Sequence, residues 1–174
     1  SRNARRQINA ELEVDARVFA RLLASRTAQS TQAARLLSGD FAFKTAYASG
    51  DGGTLLSALR NHQARIKADV MVLYSLDAEE IASTLERPPG AEELDFEDII
   101  EAADDSDEGE AAQVMLLDEA PYQVVLVPLL APLPVAWIGI GFRLDEAFVA
   151  ALEELTRADV SLLRRSGEVW RVEA

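Results

Sequence analysis

The sequence predicts an α+β fold, an antiparallel sheet with a long N-terminal helix and short flanking helices. Three observations carry this. Residues 1–38 contain neither glycine nor proline, and apolar side chains recur at Ile8, Leu12, Phe19, Leu22, Leu23, Leu36 and Leu37, the gaps of a helix. Three apolar runs, 113–117, 122–130 and 135–144, follow one another across short connections, which imply antiparallel neighbours. The helical segments are grouped around these strands: long helix, helix, strand, short elements, three strands, helix, two strands.

The elements follow in order. A helix over about 3–37 ends before Gly39 and runs roughly 50 Å. Residues 40–47 read as a short helical or irregular segment with three aromatics, Phe41, Phe43 and Tyr47, which line a pocket mouth or, by default, pack on the sheet, Phe43 and Tyr47 from one helical face. Ser49-Gly50-Asp51-Gly52-Gly53 is a loop. Thr54 is the expected N-cap of a helix to about Ile66, with Leu55, Leu56, Leu59 and Ile66 on its apolar side. Residues 69–76 are apolar on both faces, as in a buried strand. Residues 81–84 form a short strand or a helical turn, and 96–103 a short helix with Asp95 near its start. An acidic loop covers 104–110. After the three strands, Asp145 caps a helix to about Thr156, with Phe148, Val149, Leu152 and Leu155 as its stripe. Strands at 160–163 and 169–172 close the chain around a turn at 165–168. This divides the chain into a helix, 1–38, and an α+β domain, 39–174.

In the 135–144 strand, period 2 places Trp137, Gly139, Gly141 and Arg143 on one face and Ile138, Ile140, Phe142 and Leu144 on the other. A glycine stripe lets something approach the sheet closely. That something is a ligand or the long helix; the expectation is that the long helix, through residues 20–37, lies on that glycine face.

Composition bounds the function. Of 174 residues, 49% are apolar, enough for a core. There is no cysteine, which excludes disulfides, thiol catalysis and cysteine zinc sites. The net charge of −13 is local: residues 86–119 carry fourteen acids against Arg87 alone. The basic residues Arg2, Arg5, Arg6, Arg17, Arg21 and Arg26 make too small a footprint for nucleic-acid binding. No apolar run spans a membrane: the longest, 124–140, is broken by Pro128, Pro132 and Pro134. The start at Ser1 is read as that of a processed or excised piece.

Catalytic signatures are absent. His62 is the only histidine, and no Gly-x-Ser-x-Gly, P-loop or His-Glu-x-x-His occurs, so no enzyme and no cofactor are expected. His62 and Arg65 share a helix face, where they offer a carboxylate two donors or stand solvated. The candidate ligand-binding set is His62, Arg65, Met71, Leu73, Tyr122, Trp137, Gly139 and Gly141. No metal site is expected; the weak alternative is Asp105, Asp107 and Glu110, which lack the order of an EF-hand loop. Arg17, Arg21 and Arg35 are expected to face water.

The stretches 18–23 and 34–44, Leu55-Leu56-Ser57-Ala58-Leu59-Arg60-Asn61-His62 with 68–73, and Ile138-Gly139-Ile140-Gly141-Phe142 with 156–163 together resemble extracytoplasmic Cache-type sensor domains. The resemblance implies a PAS-like fold with the long helix along a central antiparallel sheet. It also implies a periplasmic sensor between two membrane helices of an inner-membrane protein, often ahead of GGDEF and EAL domains acting on cyclic-di-GMP. The expected function is binding a small molecule and relaying its presence through the terminal elements, with a homodimer formed through the N-terminal helix. The alternative is a ligand-free dimerisation or protein-interaction module of the same fold.

Overall fold

A computed structural model of the protein describes residues 2–146, 162–166 and 169–173, with side-chain burial assigned for 2–7 and 16–146. The elements are α1 (Arg2–Ser38), α2 (Phe41–Ala48), α3 (Gly52–Ile66), β1 (Val70–Tyr74), β2 (Glu80–Ser83), α4 (Glu97–Asp104), β3 (Ala111–Leu117), β4 (Ala120–Leu130), β5 (Pro134–Arg143), β6 (Leu162–Ser166) and β7 (Val169–Glu173). The helix expected to Thr156 lies outside the described residues beyond Glu146, as does the start of the strand expected at 160. No described helix is long and apolar enough to cross a membrane.

The chain forms two compact units. One comprises Ser1–Arg26 with Leu144–Ala174. In it β6 and β7 pair antiparallel, from Leu162 opposite Glu173 to Ser166 opposite Val169. The strand expected at 169–172 is therefore present, and β6 continues to Ser166, into the expected turn.

The other unit, Thr27–Arg143, holds a five-stranded antiparallel sheet of order β2-β1-β5-β4-β3. The residues expected as a strand or helical turn form β2, an edge strand. The fold is α+β, as expected, with helices on both faces of the sheet. That is why β1 is buried along its whole length.

Strand alternation sorts the core into two layers. Met71, Leu73, Val125, Val127, Leu129, Ile138 and Ile140 pack with Ala34 and Leu37 of α1, Phe43 of α2, and Leu55 and Leu59 of α3. Val70, Val72, Tyr74, Tyr122, Val124, Leu126 and Trp137 pack with Phe96, Ile99, Ile100 and Ala103 around α4. The last part of the long helix, 27–38, thus lies on the Ile138/Ile140 face, which corrects the expectation that the helix covers the glycines.

The physical reason is what occupies the glycine stripe. Gly139 stands opposite Val72 and Leu126, and Gly141 opposite Val70 and Val124. A Cβ on Gly139 would lie 2.6 Å from Val72 Cγ2 and 3.3 Å from Phe96 Cε1. On Gly141 it would lie 2.5 Å from Val70 Cγ1. The glycines make room for branched side chains of the neighbouring strand and for Phe96, not for a helix backbone.

On the opposite face α1 approaches through small residues. Ser30, Ala34 and Ser38, four apart, are buried. Thr27 Oγ1 accepts a hydrogen bond from Gln123 Nε2, and Ser38 Oγ donates to the Pro128 carbonyl at 2.8 Å. Eleven helical residues and five strand residues each span about 17 Å. The two anchors therefore hold this part of α1 alongside β4, in the same direction. Arg17, Arg21 and Arg35 are exposed, as expected.

Aspartates cap the next two helices. Asp40 Oδ1 accepts from Phe43 N at 2.8 Å. Asp51 Oδ2 accepts from Thr54 N at 3.0 Å and from Thr54 Oγ1 at 2.5 Å. These bonds hold the Asp51 carboxyl below the usual carboxylate range. The N-cap of α3 is thus Asp51 and not Thr54, because an aspartate reaches the third helical N–H across two glycines.

Replacing Gly139 or Gly141 by alanine overpacks the sheet. Each substitution is expected to cost about 1–3 kcal/mol, read as a lower urea midpoint, whereas Gly53→Ala, whose added methyl meets only Asp51 Oδ2 at 3.8 Å, should shift the midpoint far less.

Candidate functional site

The face of the sheet that α1 leaves uncovered carries a groove of about 610 Å³. This is within the range of small-molecule sites, about 300–1,000 Å³. Its floor comes from strand ends: Pro128 of β4, and Pro134 and Trp137 of β5. Leu76 and Ala78, in the turn after β1, form one rim. The Ala78 backbone is left-handed, φ 62°, which tightens that turn. The wall is α4, through Glu97, Ile100, Glu101 and Asp104, with Gly109 beyond it.

The position of α4 depends on the segment before it, which Tyr74 pins to the sheet. The Tyr74 ring is fully buried and stacks on Phe96 at 4.6 Å between centroids. Its single hydroxyl proton is shared between the Leu94 carbonyl, at 2.7 Å, and Glu80 Oε2, at 3.2 Å. Arg87 pairs with Glu80 and donates to the Glu92 carbonyl at 2.6 Å. Burial, followed by the charge of Glu80, pushes the phenol far above its ordinary value of 10.0, so it serves as a neutral donor.

A smaller cavity, about 220 Å³, lies on the opposite face between the end of α1 and α3. Leu36, Leu37, Asp40, His62, Arg65 and Ile66 are among its lining residues. His62 meets the Phe43 ring edge-on, with centroids 5.9 Å apart. Burial lowers its pKa below 6.5; Arg65 adds to that and Asp40 opposes it.

One ion pair joins the groove side to α1. Arg35 grips Glu110 with two bonds, Nε to Oε2 at 2.9 Å and Nη2 to Oε1 at 2.5 Å, with Glu108 at 3.6 Å. The guanidinium pKa is raised by the Glu110 hydrogen bond and charge. Gly109, the residue before Glu110, lines the groove.

The sheet separates the candidate ligand residues. His62 and Arg65 line the smaller cavity, while Met71 and Leu73 are sealed in the core beside the helices. Tyr122, Gly139 and Gly141 lie in the other layer, closed over by side chains. Trp137 alone of the set lines the groove. For the metal alternative, Asp105 and Asp107 are exposed and Glu110 is held by Arg35. No group of three metal-binding side chains converges among the described residues. Sequence reasoning missed Glu97, Glu101 and Asp104. Their spacing of four and three was the available signal, since it puts them on one side of a helix.

His62 gives a pH dependence with a definite sign. The unfolded imidazole ionises near 6.5 and the folded one only at lower pH, so unfolding takes up a proton below that point. The contribution is complete above about 6.5 and is lost as pH falls through the folded value. The melting temperature should therefore drop more steeply between pH 7.5 and 5.5 in the parent chain than in His62→Gln; equal slopes would contradict it.

No curated protein matches the chain. A family profile described as the double sensory domain of two-component sensor kinase matches residues 5–171. That span takes in most of α1, the five-stranded sheet, the groove, β6 and the first three residues of β7. With nearly its whole length matched, the chain belongs to the dCache_3 family of sensory domains.

Proposed function

We propose that the chain is the extracytoplasmic, periplasmic sensor of a membrane-anchored signalling protein, and that it binds a small molecule in the groove between α4 and the sheet. The observation that carries this reading is the groove itself, of ligand size and lined by apolar strand ends and one polar helix wall. Residues 1–38 act as the signalling helix and 39–174 as the sensor. The fragment is not itself an enzyme. The output lies elsewhere in the parent protein: the family description supports a sensor kinase, and the resemblance of the sequence supports cyclic-di-GMP synthesis or degradation.

The relay is a shift between two poses. A ligand that binds one pose 100-fold more tightly biases it by about 2.7 kcal/mol. The route from groove to α1 runs round the edge of the sheet, through Gly109, Glu110 and Arg35. Paired α1 helices of a homodimer would carry the shift onward.

A thermal-shift screen with amino acids, organic acids, amines and calcium tests ligand binding. A true ligand at 100 times its Kd should stabilise the chain by about 2.7 kcal/mol; silence across the panel overturns the reading. The relay has its own test. A double-mutant cycle on Arg35→Ala and Glu110→Ala should give non-additive stabilities at low salt, with the coupling shrinking in 1 M NaCl (Debye length about 3 Å). Additive effects at both salt levels would remove this link.

A second reading, a ligand-free dimerisation or protein-interaction module, draws support from Leu36 and Phe41, which are 68% and 83% exposed where α1 meets α2. It expects Leu36→Glu with Phe41→Glu to turn a dimer into a monomer in sedimentation experiments.

A further inference from the structure

We infer that the groove selects an organic cation, a small alkylammonium or quaternary ammonium compound. This rests on the reading of the groove as a ligand site and adds its chemical class.

The first observation is the charge of the wall. Glu97, Glu101 and Asp104, all exposed, line the groove from successive turns of α4, and no lysine, arginine or histidine is among the described lining residues. None of the three is in a salt bridge among the described residues. The nearby bases are already engaged, Arg87 by Glu80 and Arg35 by Glu110. The last carbonyls of α4, at the Asp104 end, add partial negative charge. The ionised side chains on the described lining are therefore all acidic.

The second observation is the floor. Trp137, Leu76 and Ile100 also line the groove, Leu76 half exposed and Trp137 and Ile100 with 5% and 8% of their surface accessible. Indole is the aromatic side chain that attracts cations best. Alkyl groups on a cation would bury against the same surface.

The third is spacing. Residues 97 and 104 are seven apart, about 10 Å along a helix axis. Their carboxylates are too far apart to chelate one metal ion, which needs its oxygens within about 2.6 Å, and no metal-binding group of three converges among the described residues. The wall suits a cation whose charge is spread over, or carried along, a molecule. The volume of about 610 Å³ admits one.

The experiment uses the full chain with Trp170→Phe, which leaves Trp137 as the only tryptophan of two. Tetramethylammonium, butylammonium and spermidine chlorides are titrated at about 0.15 M salt, with sodium succinate and glucose in parallel. Emission from Trp137 and the melting temperature are followed. The expected result is saturable binding of at least one cation, weakened about fivefold by Glu101→Gln, the size of one exposed ion pair. The variant Glu97→Gln/Glu101→Gln/Asp104→Asn should lose binding while keeping its circular dichroism. A control of equal net charge, Glu86→Gln/Glu92→Gln/Asp118→Asn, should bind as the parent does.

Equal loss in the control would overturn the proposal, because the cations would then follow overall charge. Saturable binding of succinate or glucose with a Trp137 response, and no cation binding, would overturn the cation class while leaving the sensor reading intact. No response to any titrant also overturns the cation class; the sensor reading falls only if the wider thermal-shift panel is silent as well.

Discussion

The rest of the structure depends on the close approach of side chains over β5. Gly139 and Gly141 remove two Cβ atoms from the strand at the centre of the sheet, and Val72, Val70 and Phe96 occupy the space. A Cβ there would stand 2.5–2.6 Å from a valine methyl, inside contact distance. The segment leading into α4 can therefore settle onto the sheet through Phe96. Tyr74, stacked on Phe96 and bonded to the Leu94 carbonyl, locks it there. The groove is the space left between the strand ends and α4 once that contact is made.

The same constraint assigns the two faces different work. The Ile138/Ile140 face is filled with aliphatic side chains against α1, α2 and α3, and Met71, Leu73, Ile138 and Ile140 have no accessible surface. The other face is sealed near Gly139 and Gly141 and open beyond Trp137. A close-packed sheet deforms little, so influence between the faces is better carried round its edge. The Glu110–Arg35 pair lies on that path. Arg35 is half exposed and Glu110 mostly covered, and two parallel bonds fix the orientation of the pair.

Charge is organised with equal economy. The acidic segment 86–119 accounts for a net −13. Its acids divide by partner. Glu110 is neutralised by Arg35, and Glu80, just outside the segment, by Arg87. Glu97, Glu101 and Asp104 are left facing the groove. What reads in one dimension as a solvated acidic block becomes, in three, an ion-paired link and a wall without salt bridges among the described residues.

The sequence by itself determined most of the described element types and the strand faces, while 81–84 read as a strand or a helical turn until pairing with β1 made it a strand. A breaker-free 38-residue start, short connections between apolar runs, and the alternation of glycine with isoleucine are local signals, and local geometry obeys them. It also bounded the function, since a chain with one histidine and no cysteine carries few catalytic options. Only the tertiary structure decided which face each helix took, because period 2 defines two faces without saying what covers either. The glycine stripe invited a helix, and the branched side chains of β1 took the space. The candidate residues met the same limit: His62 and Trp137 are both chemically apt, but the sheet lies between the cavities they line. The partner of Arg35 was equally illegible, because an ion pair across 75 residues depends on where the chain returns, and packing sets that return.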